Sequence, residues 1–164
     1  MKILDERQIK QKIKRLAIQI LEKNLKEGEI ILAGINNNGM GFAKMIYKEL
    51  NKISENKITL TRIRLSPANP LESEVTIEMP LDDIANKVII IVDDVANTGR
   101  TIFYAMKPLM NILPKKVQVA VLVDRKHKSF PIEVDYVGLS LATTMRESID
   151  VQILKVPEKA VFLN

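Results

Sequence analysis

With 164 residues, 46% hydrophobic and 27% charged, the chain has the composition of a soluble globular protein, long enough for one domain with a substantial core. It has no cysteine and one histidine, His127, which excludes disulfides, thiolate metal sites and a histidine-rich metal centre. The formal charge of +5 permits a polyanionic ligand or nucleic acid without demanding either.

Asp5, with Gln8 three residues on, forms a capping box. Ile9, Ile13, Leu16, Ala17, Ile20 and Leu21 follow at helical spacing, and Gly28 suits the end of that helix. IILA at 30–33 predicts a short buried strand ending at Gly34. MGFAKMIYKEL at 40–50 predicts a helix, and KITLTRIRL at 57–65 a strand whose alternation slips at Arg62. SPANPLESE at 66–74 is a proline-containing connection, and VTIEM at 75–79 alternates as an edge strand does. Glu72, Glu74 and Glu78 are expected on a solvated strand face. Residues 88–92 predict a fully apolar strand, 99–111 a helix, and VQVAVLV (117–123) and VDYVGL (134–139) two further strands. VQILKV and KAVFL supply two short candidates near the end. No apolar run approaches the ~20 residues that span a bilayer, and MKILDERQIK lacks the apolar core of a signal peptide. A cytoplasmic location with no membrane partner is therefore expected.

Strand and helix alternate, and the central strands are apolar throughout. That pattern predicts an α/β fold whose mostly parallel central sheet is covered by helices on both faces. Ligands of such sheets lie beyond the C-terminal ends of the strands. VIIIVDDVANTGRT at 88–101 places paired acids at one of those ends. Asp93 and Asp94, leaving the strand, are expected to point to opposite sides. Carboxylates there can accept hydrogen bonds from vicinal hydroxyls or help to hold hydrated Mg²⁺. Val95, Ala96, Asn97, Thr98 and Gly99 lead into a helix start, whose free N–H groups suit a phosphate. Gly99 permits close backbone approach, and Thr98 and Thr101 add hydroxyls. A diol site beside a phosphate site matches a ribose 5-phosphate. Asp, Asn and Thr also serve as plain helix caps, but a cap does not need two consecutive acids after five aliphatics.

This motif resembles the 5-phosphoribosyl 1-diphosphate (PRPP) signature of type I phosphoribosyltransferases. ILDERQIKQKIKRLAIQILEKN, ILAGINNNGMGFAKMI and VDRKHKSFPIEVDYVG extend the likeness across nearly the whole chain. Together they resemble the family of bifunctional pyrimidine operon attenuation regulators and uracil phosphoribosyltransferases. The resemblance implies the type I fold, with a small hood beside the main sheet. It implies that Asp93 and Asp94 bind the ribose hydroxyls, that Val95 to Thr101, Arg100 included, cradle the 5-phosphate, and that Gly34 to Gly39 form the diphosphate loop. Asn36, Asn37, Asn38 and Gly39 would line that loop. Val137 and its neighbours would lie near the base, and Asp124 and Arg125 near the active site, Arg125 with a catalytic part. Mg²⁺ would arrive on PRPP, a nucleobase or nucleotide would be the second ligand, and a homodimer or higher homo-oligomer is implied.

The chain departs from the family at three places. GINNNG stands where the regulators carry G-I-K-T-R-G, so both cations are replaced by asparagine, which tolerates left-handed backbone. The flexible-loop region, RIRLSPANPL at 62–71, is short and holds two prolines. Arg62 or Arg64 could restore charge there, or both could be solvated strand-face arginines. Asn97 stands where purine-salvage relatives place an aspartate, which argues against a hypoxanthine–guanine enzyme. Lys126 and Lys128 are expected in a solvated basic turn, and His127 as structural or exposed. Three readings follow: an active pyrimidine phosphoribosyltransferase, an RNA-binding attenuation regulator, and a nucleotide-binding relative without turnover. The segment up to Gly28 holds eight Lys/Arg against four Asp/Glu, ordinary for an amphipathic helix and a weak sign of RNA.

Overall fold

The computed structural model describes residues 1–164. The strands are β1 (Lys2–Leu4), β2 (Glu29–Ile35), β3 (Lys57–Arg64), β4 (Thr76–Ile77), β5 (Val88–Ala96), β6 (Lys116–Arg125), β7 (Tyr136–Leu141), β8 (Ile149–Gln152) and β9 (Ala160–Leu163). The α-helices are α1 (Glu6–Lys23), α2 (Asn36–Ile53) and α3 (Arg100–Ala105). Six strands form one sheet in the order β4-β3-β2-β5-β6-β7, parallel except for β4 at its edge. The predicted edge strand at 75–79 is thus present, shortened to two residues.

The buried run of β5 is divided between two cores by strand alternation. Val88, Ile90 and Val92 pack with α1 and α2 on one face. Ile89 and Ile91 pack with Ile102, Ala105 and Leu109 on the other. Both faces being covered is why the central strands read as continuous aliphatic runs. β2 leads through α2 to β3 on one side, and the chain then returns to place β5 on the other. The order reverses between β2 and β5, the place where open α/β sheets form their ligand crevice. The outer sheet, β1-β9-β8, is antiparallel and joins the two ends of the chain. It forms the small hood, and β1 within it went unpredicted because three residues carry no period.

Four of the boundaries that differ from expectation have an evident physical cause. α1 ends at Lys23, not near Gly28, because the buried Asn24 caps it: its amide donates to the Ile20 carbonyl at 2.8 Å. α2 begins at Asn36, straight from β2 without a loop. β5 runs on through both aspartates to Ala96, because β6 keeps pairing with it as far as Ala96–Asp124. The helix predicted over 99–111 stops at Ala105 and resumes as a 3-10 turn over Lys107–Asn111. Pro108 has no N–H to continue the α ladder. Glu72 and Glu74 lie in the connection before β4 rather than on a strand face, with Glu72 accepting from the Ser66 hydroxyl at 2.9 Å.

Candidate functional site

Pairing with β2 ends at Gly34–Val92, so β5 projects four residues beyond that neighbour. The gap is filled by the first turn of α2. Gly34 makes this possible, since a Cβ there would lie 2.4 Å from the Met40 Cα. Gly39 likewise lets the helix rest on the Val92 carbonyl, 2.6 Å from where a Cβ would stand. The result is a cavity of about 590 Å³. One wall is Ile35–Asn38, another Asp93–Val95 with Asn97 and Thr101, and Arg64, Pro67 and Ile149 complete the rim.

The segment expected to form a loop over Gly34–Gly39 is therefore a helix start. The amides of this turn have no intrahelical acceptor, no side chain caps them, and no acid sits in the turn. Asn36 does take the left-handed conformation, with φ at 51°. Its side chain donates to the Leu65 carbonyl at 2.9 Å and accepts from the Leu65 N–H at 3.1 Å. Asn36 thus ties α2 to the end of β3, while Asn37 and Asn38 stay exposed in the cavity wall. Asn36→Ala is expected to cost about 1–3 kcal/mol, from two lost hydrogen bonds and an unfavourable φ; chemical denaturation checks it.

Asp93 and Asp94 line this one cavity instead of opposite faces of the sheet. Alternation breaks after them: Val95 packs with the α1–α2 core, the face of Val92, and Ala96 with the opposite one. The Asp93 carboxylate accepts the Asp94 N–H, and that of Asp94 the Val95 N–H, each at 2.9 Å. Burial, and then the neighbouring Asp94 charge, push the Asp93 carboxyl well above its ordinary range. Neither acid is in an ion pair. No cluster of three or more His, Cys, Asp or Glu side chains gathers to hold a metal. Such a donor pair suits a cation that brings its own phosphate ligands and waters.

Residues 95–102 wrap a small recess of about 40 Å³ at the start of α3. Gly99 has φ of 87°, left-handed backbone open to glycine. The Arg100 guanidinium donates to the Pro67 carbonyl at 2.8 Å, holding the proline-containing connection against α3. Of the two β3 arginines, Arg64 reaches the cavity and pairs with Glu78 at 3.0 Å. Arg62 lies apart from it, with its Nε buried and unpartnered.

A second recess of about 160 Å³ adjoins the first and is lined by Asn97, Thr98, Arg125, His127 and Met145. Arg125 is held by four hydrogen bonds: Nε to the Thr143 hydroxyl at 2.7 Å, Nη1 to Asn97 Oδ1 at 3.1 Å, and Nη2 to the carbonyls of Thr144 at 3.0 Å and Glu147 at 2.8 Å. Its role here is to fasten the 143–147 segment to the loop after β5. His127 pairs through Nε2 with the Thr143 carbonyl, a structural contact. Lys126 is exposed as expected, whereas Lys128 is not a solvated turn residue. Its ammonium lies between the Asp124 carboxylate and the carbonyls of Arg125 and Asn97, because the chain folds back onto the loop that ends β5. Val137 lines neither cavity; it sits low in β7 opposite Val121. Met145 and Ile149, which do line them, carry no sequence signal beyond being apolar in a polar stretch.

A mostly parallel sheet thus sets paired acids, in the projecting end of its central strand, between a helix start and a small glycine-containing loop. The phosphoribosyl transferase domain family matches residues 1–155. Among curated relatives, the bifunctional protein PyrR of Bacillus velezensis is 34% identical over 165 residues, covering 95% of this chain and 91% of the relative. That of Streptococcus agalactiae serotype Ia is 37% identical over 156 residues, covering 93% and 90%. The chain belongs to the type I phosphoribosyltransferases, among the relatives of PyrR. A hypoxanthine-guanine phosphoribosyltransferase structure from Bacillus anthracis superposes with a TM-score of 0.77 over 97% of this chain and 95% of that one, at 22% identity. The Trypanosoma cruzi hypoxanthine phosphoribosyltransferase gives 0.78 over 98% and 95%, at 17% identity. At these identities the likeness shows the fold alone. No helix is long and apolar enough to cross a membrane.

Proposed function

We propose that the protein transfers the phosphoribosyl group of PRPP to a ring nitrogen of a pyrimidine base such as uracil, releasing diphosphate. The observation that carries this reading is the cavity in which Asp93 and Asp94 face the start of α2, beside the 95–101 loop. The 95–101 loop would hold the 5-phosphate with its amides and threonine hydroxyls. Asp93 and Asp94 would hold the ribose hydroxyls and, through water, a Mg²⁺ ion carried by PRPP, which neutralises charge on the leaving diphosphate. The amides of α2 and the Asn37 and Asn38 carboxamides would receive the diphosphate. Arg64 supplies the one cation in the cavity wall, in place of the two that GINNNG lacks. The bond from ribose C1 to diphosphate oxygen breaks with its electron pair leaving on diphosphate, C1 bonds to the ring nitrogen, and that nitrogen's proton passes to solvent. Positioning and charge stabilisation drive such a step, with no side-chain nucleophile. A cytoplasmic homodimer or larger homo-oligomer is part of the proposal.

The test is diphosphate release from PRPP and Mg²⁺ with uracil and a panel of other bases. Release that requires PRPP and a pyrimidine is expected, and Arg64→Gln should raise the KM for PRPP about tenfold by removing a charge-assisted contact. PRPP binding without release on any base would leave a nucleotide sensor and end the transferase reading.

One observation favours RNA as a second ligand. Gln8, Gln11, Lys12 and Arg15 of α1 line a cleft of about 450 Å³, and neither cation has an acidic partner. Burial, then the Arg15 charge, lower the Lys12 pKa. A salt-dependent shift of a uridine-rich RNA hairpin, lost in Lys12→Gln with Arg15→Gln, would support it.

A further inference from the structure

We infer that Asn97 reads the base as a hydrogen-bond donor, and that Arg125 fixes it in that role. The inference rests on the phosphoribosyltransferase reading of the cavity and assigns the specificity of its base subsite. Asn97 lines both the large cavity, with Asp93 and Asp94, and the smaller recess, with Thr98, His127 and Met145. It therefore stands where a group held by the acids meets one held in the recess.

The orientation of its carboxamide is dictated by chemistry. Arg125 Nη1 lies 3.1 Å from the Asn97 side chain. A guanidinium has five donors and no acceptor, so only the amide oxygen can face it. Three further hydrogen bonds, to Thr143, Thr144 and Glu147, keep Arg125 from turning away. The Asn97 backbone is anchored as well, its carbonyl accepting the Lys128 ammonium at 3.0 Å. The Asn97 Nδ2 group, with two hydrogens and no protein acceptor, is thus left for the ligand. Of the other polar groups of the recess, His127 pairs with the Thr143 carbonyl, Arg125 is engaged as described, and the Thr98 hydroxyl accepts the Arg100 N–H at 3.4 Å.

A fixed donor at this point selects a base that offers an acceptor, a carbonyl oxygen or an unprotonated ring nitrogen. A base presenting N–H or an amine there meets donor against donor, the mismatch that a site built to hydrogen-bond its ligand rejects. An aspartate at 97 would bond Arg125 equally well and turn an acceptor towards the ligand, reversing the preference.

The test measures the KM for uracil at saturating PRPP in wild type, Asn97→Asp, Asn97→Ala, Arg125→Ala and the double alanine variant, with PRPP affinity followed by calorimetry in the same samples. Asn97→Asp is expected to raise the KM at least tenfold, and more than Asn97→Ala does. Because Arg125 acts through Asn97, the double alanine variant should resemble the worse single variant; a merely structural Arg125 would multiply the two effects. An unchanged or lower KM in Asn97→Asp, with PRPP still bound, overturns the donor assignment. Multiplied effects in the double variant overturn the part given to Arg125. A wild type that binds no PRPP overturns the transferase reading and this inference with it.

Discussion

Asp93→Asn is expected to stabilise the ligand-free protein while removing its affinity for PRPP. Asparagine keeps the shape and the acceptor for the Asp94 N–H, and it removes a buried charge next to Asp94. The sign follows from the raised carboxyl. A group whose pKa is higher folded than unfolded binds more protons when folded. It therefore costs stability as pH rises above the unfolded value, and the cost levels off above the folded value. The advantage of the variant should be small near pH 4 and grow toward neutral pH, to the order of 1 kcal/mol or roughly 2–4 °C in Tm. PRPP affinity should fall at least about 100-fold, as charged hydrogen bonds to the ribose are lost. Thermal melts between pH 4.5 and 8 check the first half and calorimetry the second. A Tm difference that does not depend on pH would contradict the account. A site that is costly when empty and useful when filled is what a cation-assisted ligand requires.

Gly39→Ala should have a large effect on stability. The added Cβ would stand 2.6 Å from the Val92 carbonyl oxygen and 3.4 Å from the Asp93 Cα, both backbone and unable to yield cheaply. Relief requires lifting the start of α2 off β5, with a cost of about 2–3 kcal/mol and a Tm lower by roughly 5–10 °C. The same movement displaces Asn37 and Asn38 from Asp93, so PRPP binding should weaken as well. Gly28→Ala is the matched control. A Cβ there meets nothing within 4 Å, and its Tm should match or slightly exceed wild type. Equal melting of the two variants would show that the close approach of helix and strand does not hold the site together.

Much of this site is legible in the sequence because its signals are local. The aliphatic run before Asp93 declares a doubly covered strand, and the following Asn97-Thr98-Gly99 declares a turn into a helix. The capping box at Asp5 and Gln8 forms as read. What escapes the sequence depends on contacts between distant segments. β5 runs past its aspartates because β6 pairs alongside it. α2 starts at Asn36 rather than 40 because the Leu65 backbone satisfies the Asn36 side chain. Lys128 looks like one of several surface cations until the fold brings Asp124 and the Asn97 carbonyl to it. Arg125 stands out in the sequence only by resemblance; its four partners lie at 97 and 143–147, so its part as a clamp is not legible there. Val137, whose neighbours resemble the base-binding region, lies in β7 outside the lining of both cavities, a placement that only the fold reveals.

The central claim is that residues 93–101 and the start of α2 together hold PRPP. Calorimetric titration of PRPP with Mg²⁺ into the wild-type protein tests it most directly. Saturable binding of one PRPP per chain that weakens when Mg²⁺ is withheld is the predicted result. No heat of binding at millimolar PRPP, from a protein that melts cooperatively, would contradict it.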